Sequence, residues 1–230
     1  MLSSRPPLLD MAGEAANVAA MARGLFITFE GGEGAGKSTQ VRRLAERLSA
    51  LGRKVVATRE PGGSPGAEAI RELLVRGAVD RWSPMTETLL MYAARRDHIE
   101  RVIAPALELG ATVLCDRFAD STRAYQGAGG GAPMRLIAAL EAAVLGAAWP
   151  DLTLVLDLAP EIGLARAALR RGAETRFEAK DLAFHHRLRE AFLDLGRMEP
   201  RRCRLIDAGQ DPDAVANAIW AAVDARLGAV

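Results

Sequence analysis

The chain has 230 residues, half of them apolar and 26% charged, with 30 Lys and Arg against 29 Asp and Glu. That length suits one α/β domain with a full buried sheet, and the balanced charge excludes a global field that would gather nucleic acid or an anionic membrane. The only cysteines, Cys115 and Cys203, lack metal-ligand spacing, which excludes a structural zinc and fits free thiols in a reducing cytoplasm.

Residues 1–20 carry Pro6-Pro7, small residues and scattered charges without periodicity, and are expected to form a disordered N-terminal extension to a single domain over residues 21–230. Asp10 and Glu14 interrupt the one stretch that a secretory signal could use. The first predicted strand is Leu25 to Glu30. It runs into Gly31-Gly32-Glu33-Gly34-Ala35-Gly36-Lys37-Ser38, followed by Thr39, which meets the phosphate-loop pattern G-x-x-x-x-G-K-[ST] at every position. Glycines let backbone N–H groups turn inward around an anionic chain, the lysine reaches the terminal phosphates, and the serine hydroxyl suits Mg²⁺ at a helix N-terminus. A strand before and a helix after are the context that makes the motif specific, so the chain is expected to bind a nucleoside triphosphate.

Val41, Leu44, Ala45, Leu48 and Leu51 recur at helical spacing before Gly52, predicting a helix from Lys37 to Leu51. Further strands are predicted at Lys54 to Thr58, Thr112 to Cys115, Leu152 to Leu158 and Arg204 to Ile206. Between them come a long helical pattern from Pro84 to Leu109 that Pro105 is expected to kink, a Gly-rich turn at Gly127 to Gly131, and a helix from Met134 to Leu145. Strands alternating with helices predict a five-stranded parallel sheet with helices on both faces, ligands lying beyond its carboxyl ends. Trp82, Trp149 and Trp220 are read as packing residues.

Two of those ends carry arginine: Thr58-Arg59-Glu60-Pro61-Gly62-Gly63 and Asp116-Arg117. With Arg95 from the preceding helix they suggest a second anion pocket facing the phosphate loop, as transfer of a phosphoryl group between two nucleotides requires. A monophosphate acceptor is already anionic and needs no general base, so positioning and charge neutralisation would carry catalysis. Arg166, Arg170, Arg171 and Arg176 make an arginine-rich segment, about residues 166–180, that could close as a lid on the γ-phosphate.

The phosphate loop, Thr58 to Gly63, Asp116-Arg117-Phe118-x-x-Ser121-x-x-Ala124-Tyr125-Gln126-Gly127 and Arg171-Gly172 with Arg176-Phe177-Glu178 together resemble bacterial thymidylate kinases, in order from about Met21 to the C-terminus. The resemblance implies a P-loop nucleoside monophosphate kinase fold, ATP as donor, Mg²⁺, dTMP as acceptor, dTDP as product and a homodimer. It assigns Arg59 and Arg117 to the acceptor phosphate, Arg95 to the thymine edge, Ser121 to a nearby polar contact, Tyr125 to the deoxyribose face and Gln126 to the base. Glu33 corresponds to the residue meeting the 3′-hydroxyl, Glu30 and Asp116 with Ser38 to the surroundings of Mg²⁺, and Lys37, Arg117, Arg171 and Arg176 to the catalytic cations. Met91 stands where the family usually stacks phenylalanine on the base, and Thr175-Arg176 replaces a frequent Asp-Arg pair. Ala208-Gly209-Gln210 is a candidate wall for adenine.

Kinases of other monophosphates and a deoxynucleoside kinase using Glu60 as base are the nearest alternatives. A GTPase would need an Asn-Lys-x-Asp run, and neither Asn17 nor Asn217 precedes a lysine.

Overall fold

The five apolar runs pair into one parallel sheet of order β2-β3-β1-β4-β5 in the computed structural model, which describes residues 23–169 and 176–228. The expected disordered extension at residues 1–20 lies outside the described residues, as do Arg170 and Arg171. The strands are β1 Phe26–Glu30, β2 Val55–Arg59, β3 Thr112–Asp116, β4 Leu152–Asp157 and β5 Cys203–Asp207. β1 is central, with Phe26 opposite Val113 of β3 and Ile27 opposite Leu152 of β4.

Side chains alternate between the two faces of a strand, and both faces of this sheet are covered. Ile27, Phe29, Leu114, Leu154 and Leu156 point to one layer, built on α1 (Lys37–Ala50) and α9 (Pro212–Leu227) through Leu44, Leu48, Val215, Ile219 and Val223. Phe26, Val113 and Cys115 point to the other, where α3 (Pro84–His98) continues through a π-helical turn, Ile99–Ile103, into α4 (Ala104–Glu108). Pro105 has no N–H to give the preceding turn, so the hydrogen-bond ladder widens to a π turn rather than breaking. The remaining helices are α2 (Pro65–Val75), α5 (Ala119–Thr122), α6 (Met134–Val144), α7 (Pro160–Ala168) and α8 (Leu182–Met198). None of the helices among the described residues is long and apolar enough to cross a membrane.

The chain leaves β1 toward α1 on one face and leaves β3 toward α6 on the other. The crevice between the carboxyl ends of β1 and β3 is therefore the topological switch point, where doubly wound sheets bind ligands. The Gly-rich turn expected at 127–131 is shorter than predicted, because α5 runs on into a second π-helical segment, Arg123–Gly129. Its wide turn brings the consecutive residues Tyr125 and Gln126 to one cavity.

Behind the crevice lies a network of charges. Arg202 holds Asp120 (2.5 and 3.1 Å) and Glu199, Arg123 bridges Glu199 (2.7 Å) to Glu141 (2.6 and 2.9 Å), and both guanidinium groups lie over the ring of Trp149. It ties β5, α5, α6 and the end of α8 together.

Candidate active site

Gly31, Gly34 and Gly36 adopt positive φ (127°, 65° and 87°), the conformation that bends the loop into a cradle. Gly34 also meets a close approach: a Cβ there would lie 2.0 Å from the carbonyl oxygen of Gly163, and one on Gly163 would lie 2.2 Å from that of Glu33. Helix α7 thus supports the loop backbone to backbone. Sequence reading passed over Gly163, whose one signal is a glycine inside a helical pattern.

Lys37 heads α1 and folds back over the loop, donating to the carbonyls of Gly31 (3.2 Å) and Gly32 (2.7 Å). Burial and the neighbouring Arg117 lower its pKa to about 8, against the opposing pull of Asp116, Glu33 and Glu30. Ser38 donates to Asp116 Oδ2 at 2.6 Å, and a cavity of about 150 Å³ opens on Glu33, Gly34, Gly36, Lys37, Ser38, Thr39, Asp116 and Arg117. Among the described residues no group of three His, Cys, Asp or Glu is gathered for a metal. Two hard oxygens beside a phosphate cradle nevertheless fit Mg²⁺, an ion that keeps several waters and takes its other ligands from phosphates.

Arg117 is the only described non-glycine residue with positive φ (72°), a conformation that costs about 1 kcal/mol. Its N–H donates to Phe29 O, and its guanidinium reaches Gly31 O (2.9 Å), Ser121 Oγ (3.3 Å) and Glu33 (3.1 Å) while lying over the Tyr125 ring. The turn after β3 is thereby folded back onto the turn after β1. Tyr125 donates to the same Glu33 oxygen at 2.7 Å. Burial alone would raise the Glu33 pKa, but Arg117, Lys37 and the Tyr125 hydroxyl outweigh it and hold the carboxyl at about 2. Glu33 faces both the loop cavity and a larger one of about 280 Å³.

That larger cavity gathers Arg59, Met91, Arg95, Arg117, Ser121, Tyr125 and Gln126, and adds Arg71, which no reading of the sequence named, with Phe118, Phe177 and Glu178, which stood in the motifs without an assigned role. Arg71 sits on α2 and donates to Pro61 O at 2.6 Å; no motif marks it. Phe177 packs edge-on to Tyr125 with ring centroids 5.6 Å apart, so aromatic surface is present although Met91 replaces the usual phenylalanine. Arg59 is half exposed and paired with Glu68. Arg95 is 2% exposed, bonded through Nε to Glu60 (2.7 Å) and through Nη2 to Phe118 O and Thr122, while its Nη1 is buried without a partner. A buried, unsatisfied guanidinium nitrogen at a cavity wall marks where a ligand acceptor belongs. Glu60 also holds the fully buried His98 at 3.0 Å, so it is engaged in an ion-pair cluster and not poised as a general base.

Two expected roles are corrected by these contacts. Glu30 is fully buried and both its oxygens are occupied, one accepting from Phe118 N (2.8 Å) and the other from the Ser121 hydroxyl (2.5 Å). Burial, with the nearby Asp120, raises its pKa to about 7. It anchors the turn after β3 instead of facing a metal, and it accepts the hydrogen bond of the Ser121 hydroxyl. Arg176 is likewise buried, donating to Leu74 O, Ala78 O and Val79 O and pairing with Glu87, so it is not at the phosphate loop. The loop after β5 is closed on itself, with Asp207 accepting from Gly209 N and from Gln210.

A doubly wound parallel sheet with a phosphate loop after β1, an arginine turn after β3 and a second, arginine-lined cavity defines a P-loop kinase of small phosphorylated acceptors. The thymidylate kinase family model matches residues 29–219. The chain is 69% identical to a thymidylate kinase of Caulobacter vibrioides over 208 residues, 90% of this chain and 100% of the relative. It is 56% identical to one of Bradyrhizobium diazoefficiens over 89% and 91% of the two chains. The crystal structure of thymidylate kinase from Ehrlichia chaffeensis superimposes with a TM-score of 0.71 at 34% identity, covering 88% of this chain and 99% of that one. The chain belongs to the thymidylate kinase family.

Proposed function

We propose that the protein transfers the γ-phosphoryl group of ATP to dTMP, giving dTDP and ADP, with Mg²⁺, in the cytoplasm and as a homodimer. The observation that carries this reading is the shared wall of Glu33, Ser38, Asp116 and Arg117 between the phosphate cradle and the larger cavity, which sets donor and acceptor phosphates side by side. Family membership supports the choice of acceptor. The exposed Met85 and Leu89 of α3 support a dimer surface on that helix.

Gly31 to Thr39 bind ATP. Ser38 and Asp116 would hold Mg²⁺, directly or through its waters, and the ion would supply charge neutralisation on the triphosphate. Arg59 and Arg117 hold the acceptor phosphate, Tyr125 lies against the deoxyribose where a ribonucleotide's 2′-hydroxyl would clash, Glu33 meets the 3′-hydroxyl, and Arg95, Gln126, Met91 and Phe177 enclose the base. The acceptor oxygen bonds to the γ-phosphorus as the bond to the β–γ bridging oxygen breaks. Lys37 and Arg117 neutralise the moving charge, Arg170 and Arg171 of the lid are the remaining candidate cations, and no side chain has to take a proton.

The test is ADP release with Mg²⁺ and ATP, comparing dTMP, dUMP, UMP, CMP, AMP, thymidine and no acceptor. A preference for dTMP is expected. A ribonucleotide or thymidine as best substrate would overturn the acceptor assignment, and equal turnover without acceptor would make the protein an ATPase.

A further inference from the structure

Behind the base end of the large cavity, three buried side chains form a chain that runs to the root of the lid. Gln126 is 1% exposed and donates through Nε2 to Glu87 Oε1 at 2.8 Å. The other oxygen of Glu87 pairs with Arg176 Nη1, and Arg176 is pinned by the carbonyls of Leu74, Ala78 and Val79 at 3.0–3.1 Å. The side-chain hydrogen bond of Gln126 uses its nitrogen, and Gln126 lines the same cavity as Arg95, whose Nη1 is buried without a partner.

The direction of these bonds is dictated by what each group can do. A guanidinium only donates, so the carboxylate it pairs with serves as acceptor, and a primary amide beside that carboxylate must offer its nitrogen. Gln126 is left with its oxygen toward the cavity. An acceptor from Gln126 next to a donor from Arg95 complements an edge with a ring N–H beside a carbonyl, as in thymine. Cytosine, with a bare ring nitrogen beside an amino group, would meet acceptor with acceptor and donor with donor.

We propose that Glu87 and Arg176 are positioning residues that lock the Gln126 amide with its oxygen toward the base, and so make the acceptor site select a keto pyrimidine over an amino pyrimidine. The proposal rests on the reading of this cavity as the dTMP site. Arg176 is followed by Phe177, a wall of the same cavity, so docking the lid root completes the enclosure and sets the polarity of the base reader together.

The test compares kcat/KM for dTMP and dCMP, and KM for ATP, in the parent, E87Q and E87Q/Q126E, with melting curves to verify folding. In E87Q the introduced amide accepts from Arg176 and so turns its nitrogen to Gln126, which must accept with its oxygen and present its own nitrogen to the base. The preference for dTMP over dCMP is expected to fall about tenfold or more, chiefly through acceptor KM and with ATP KM unchanged, the scale of one misdirected buried hydrogen bond. E87Q/Q126E rebuilds the relay with the same charge: the amide introduced at position 87 accepts from Arg176 and donates to the carboxylate introduced at position 126, whose second oxygen faces the base. Recovery of the parent's preference to within a few-fold supports the proposal, and the double variant alone decides it if E87Q does not fold. An unchanged dTMP to dCMP ratio in E87Q, an equal loss with both acceptors, or no recovery in the double variant overturns it. A parent enzyme that does not favour dTMP would instead overturn the functional reading beneath.

Discussion

Replacing Glu60 by alanine should separate the structural and binding roles of the cluster behind the base. The Glu60 carboxylate is 4% exposed and accepts from Arg95 Nε at 2.7 Å and pairs with His98 Nδ1 at 3.0 Å, partners that are 2% and 0% exposed. E60A leaves the Arg95 cation buried with only Phe118 O and Thr122 to hold it. Breaking one partner out of a buried pair costs about 3–5 kcal/mol, whereas replacing both by apolar groups of similar volume is often close to neutral. At about 2–4 °C per kcal/mol for a domain of this size, E60A should melt roughly 6–20 °C lower. R95M/E60L should recover most of that loss yet remain poor with dTMP, because the Nη1 donor is gone. Urea titrations give the stabilities, and steady-state kinetics should show dTMP KM rising in E60A while ATP KM stays put. A loss below about 1 kcal/mol, or an equal rise in both KM values, would refute the argued pairing and the separation of the two cavities.

In G34A the added Cβ at 2.0 Å from Gly163 O, on a backbone with φ of 65°, should displace the phosphate loop, raising ATP KM about tenfold or more with dTMP affinity retained; unchanged ATP binding would show that the loop has slack. Lys37, with a pKa lowered to about 8, should regain its proton beside the triphosphate, so ATP binding should take up about half a proton at pH 8 and much less at pH 6.5, read by calorimetry in buffers of different ionisation enthalpy. The K37A protein should keep its fold, lose phosphoryl transfer and show none of that uptake. Glu30 titrates in the folded state at about 7 against 4.5 for the ordinary carboxyl, so the native state holds more protons than the unfolded one between those values and stability should fall as pH rises through that window. On the order of 2 kcal/mol between pH 5 and 8, absent in E30Q, is the expected difference in urea experiments. An equal pH dependence in both proteins would assign it elsewhere.

The sheet was legible because each strand is a short apolar run ending in chemistry: Glu30, Arg59, Asp116, Asp157 and Asp207 close the five strands, each within one residue of the end read from the sequence. The phosphate loop was legible because its spacing is tied to backbone geometry that few sequences satisfy, and Arg117 because it stands at a strand end, whereas Tyr125 and Gln126 were placed through the family resemblance alone. What escaped were properties of contact. Glu30 and Asp116 both end a strand, yet only packing decides that Glu30 turns inward to Phe118 N and Ser121 while Asp116 meets Ser38. Arg176 carries the same charge as Arg170 and Arg171, and the three carbonyls that capture it come from the end of α2 and the turn after it, about a hundred residues earlier. Nor does spacing announce a π turn, whose wider ladder put Gln126 into the wall where a glycine turn was expected to follow.

The Asp120, Arg202, Glu199, Arg123 and Glu141 network, with Trp149 beneath its two cations, constrains how this chain can diverge. Asp120 and Glu141 are buried and lean on Arg202 and Arg123, so exchanging either arginine alone leaves a buried carboxylate short of its cation. Divergence at these positions should therefore proceed in joint steps, with intermediate sequences purged by their instability. Among family members of decreasing similarity, position 202 should keep its arginine wherever 120 is acidic, and a tryptophan at 149 should be lost only together with the cations above it.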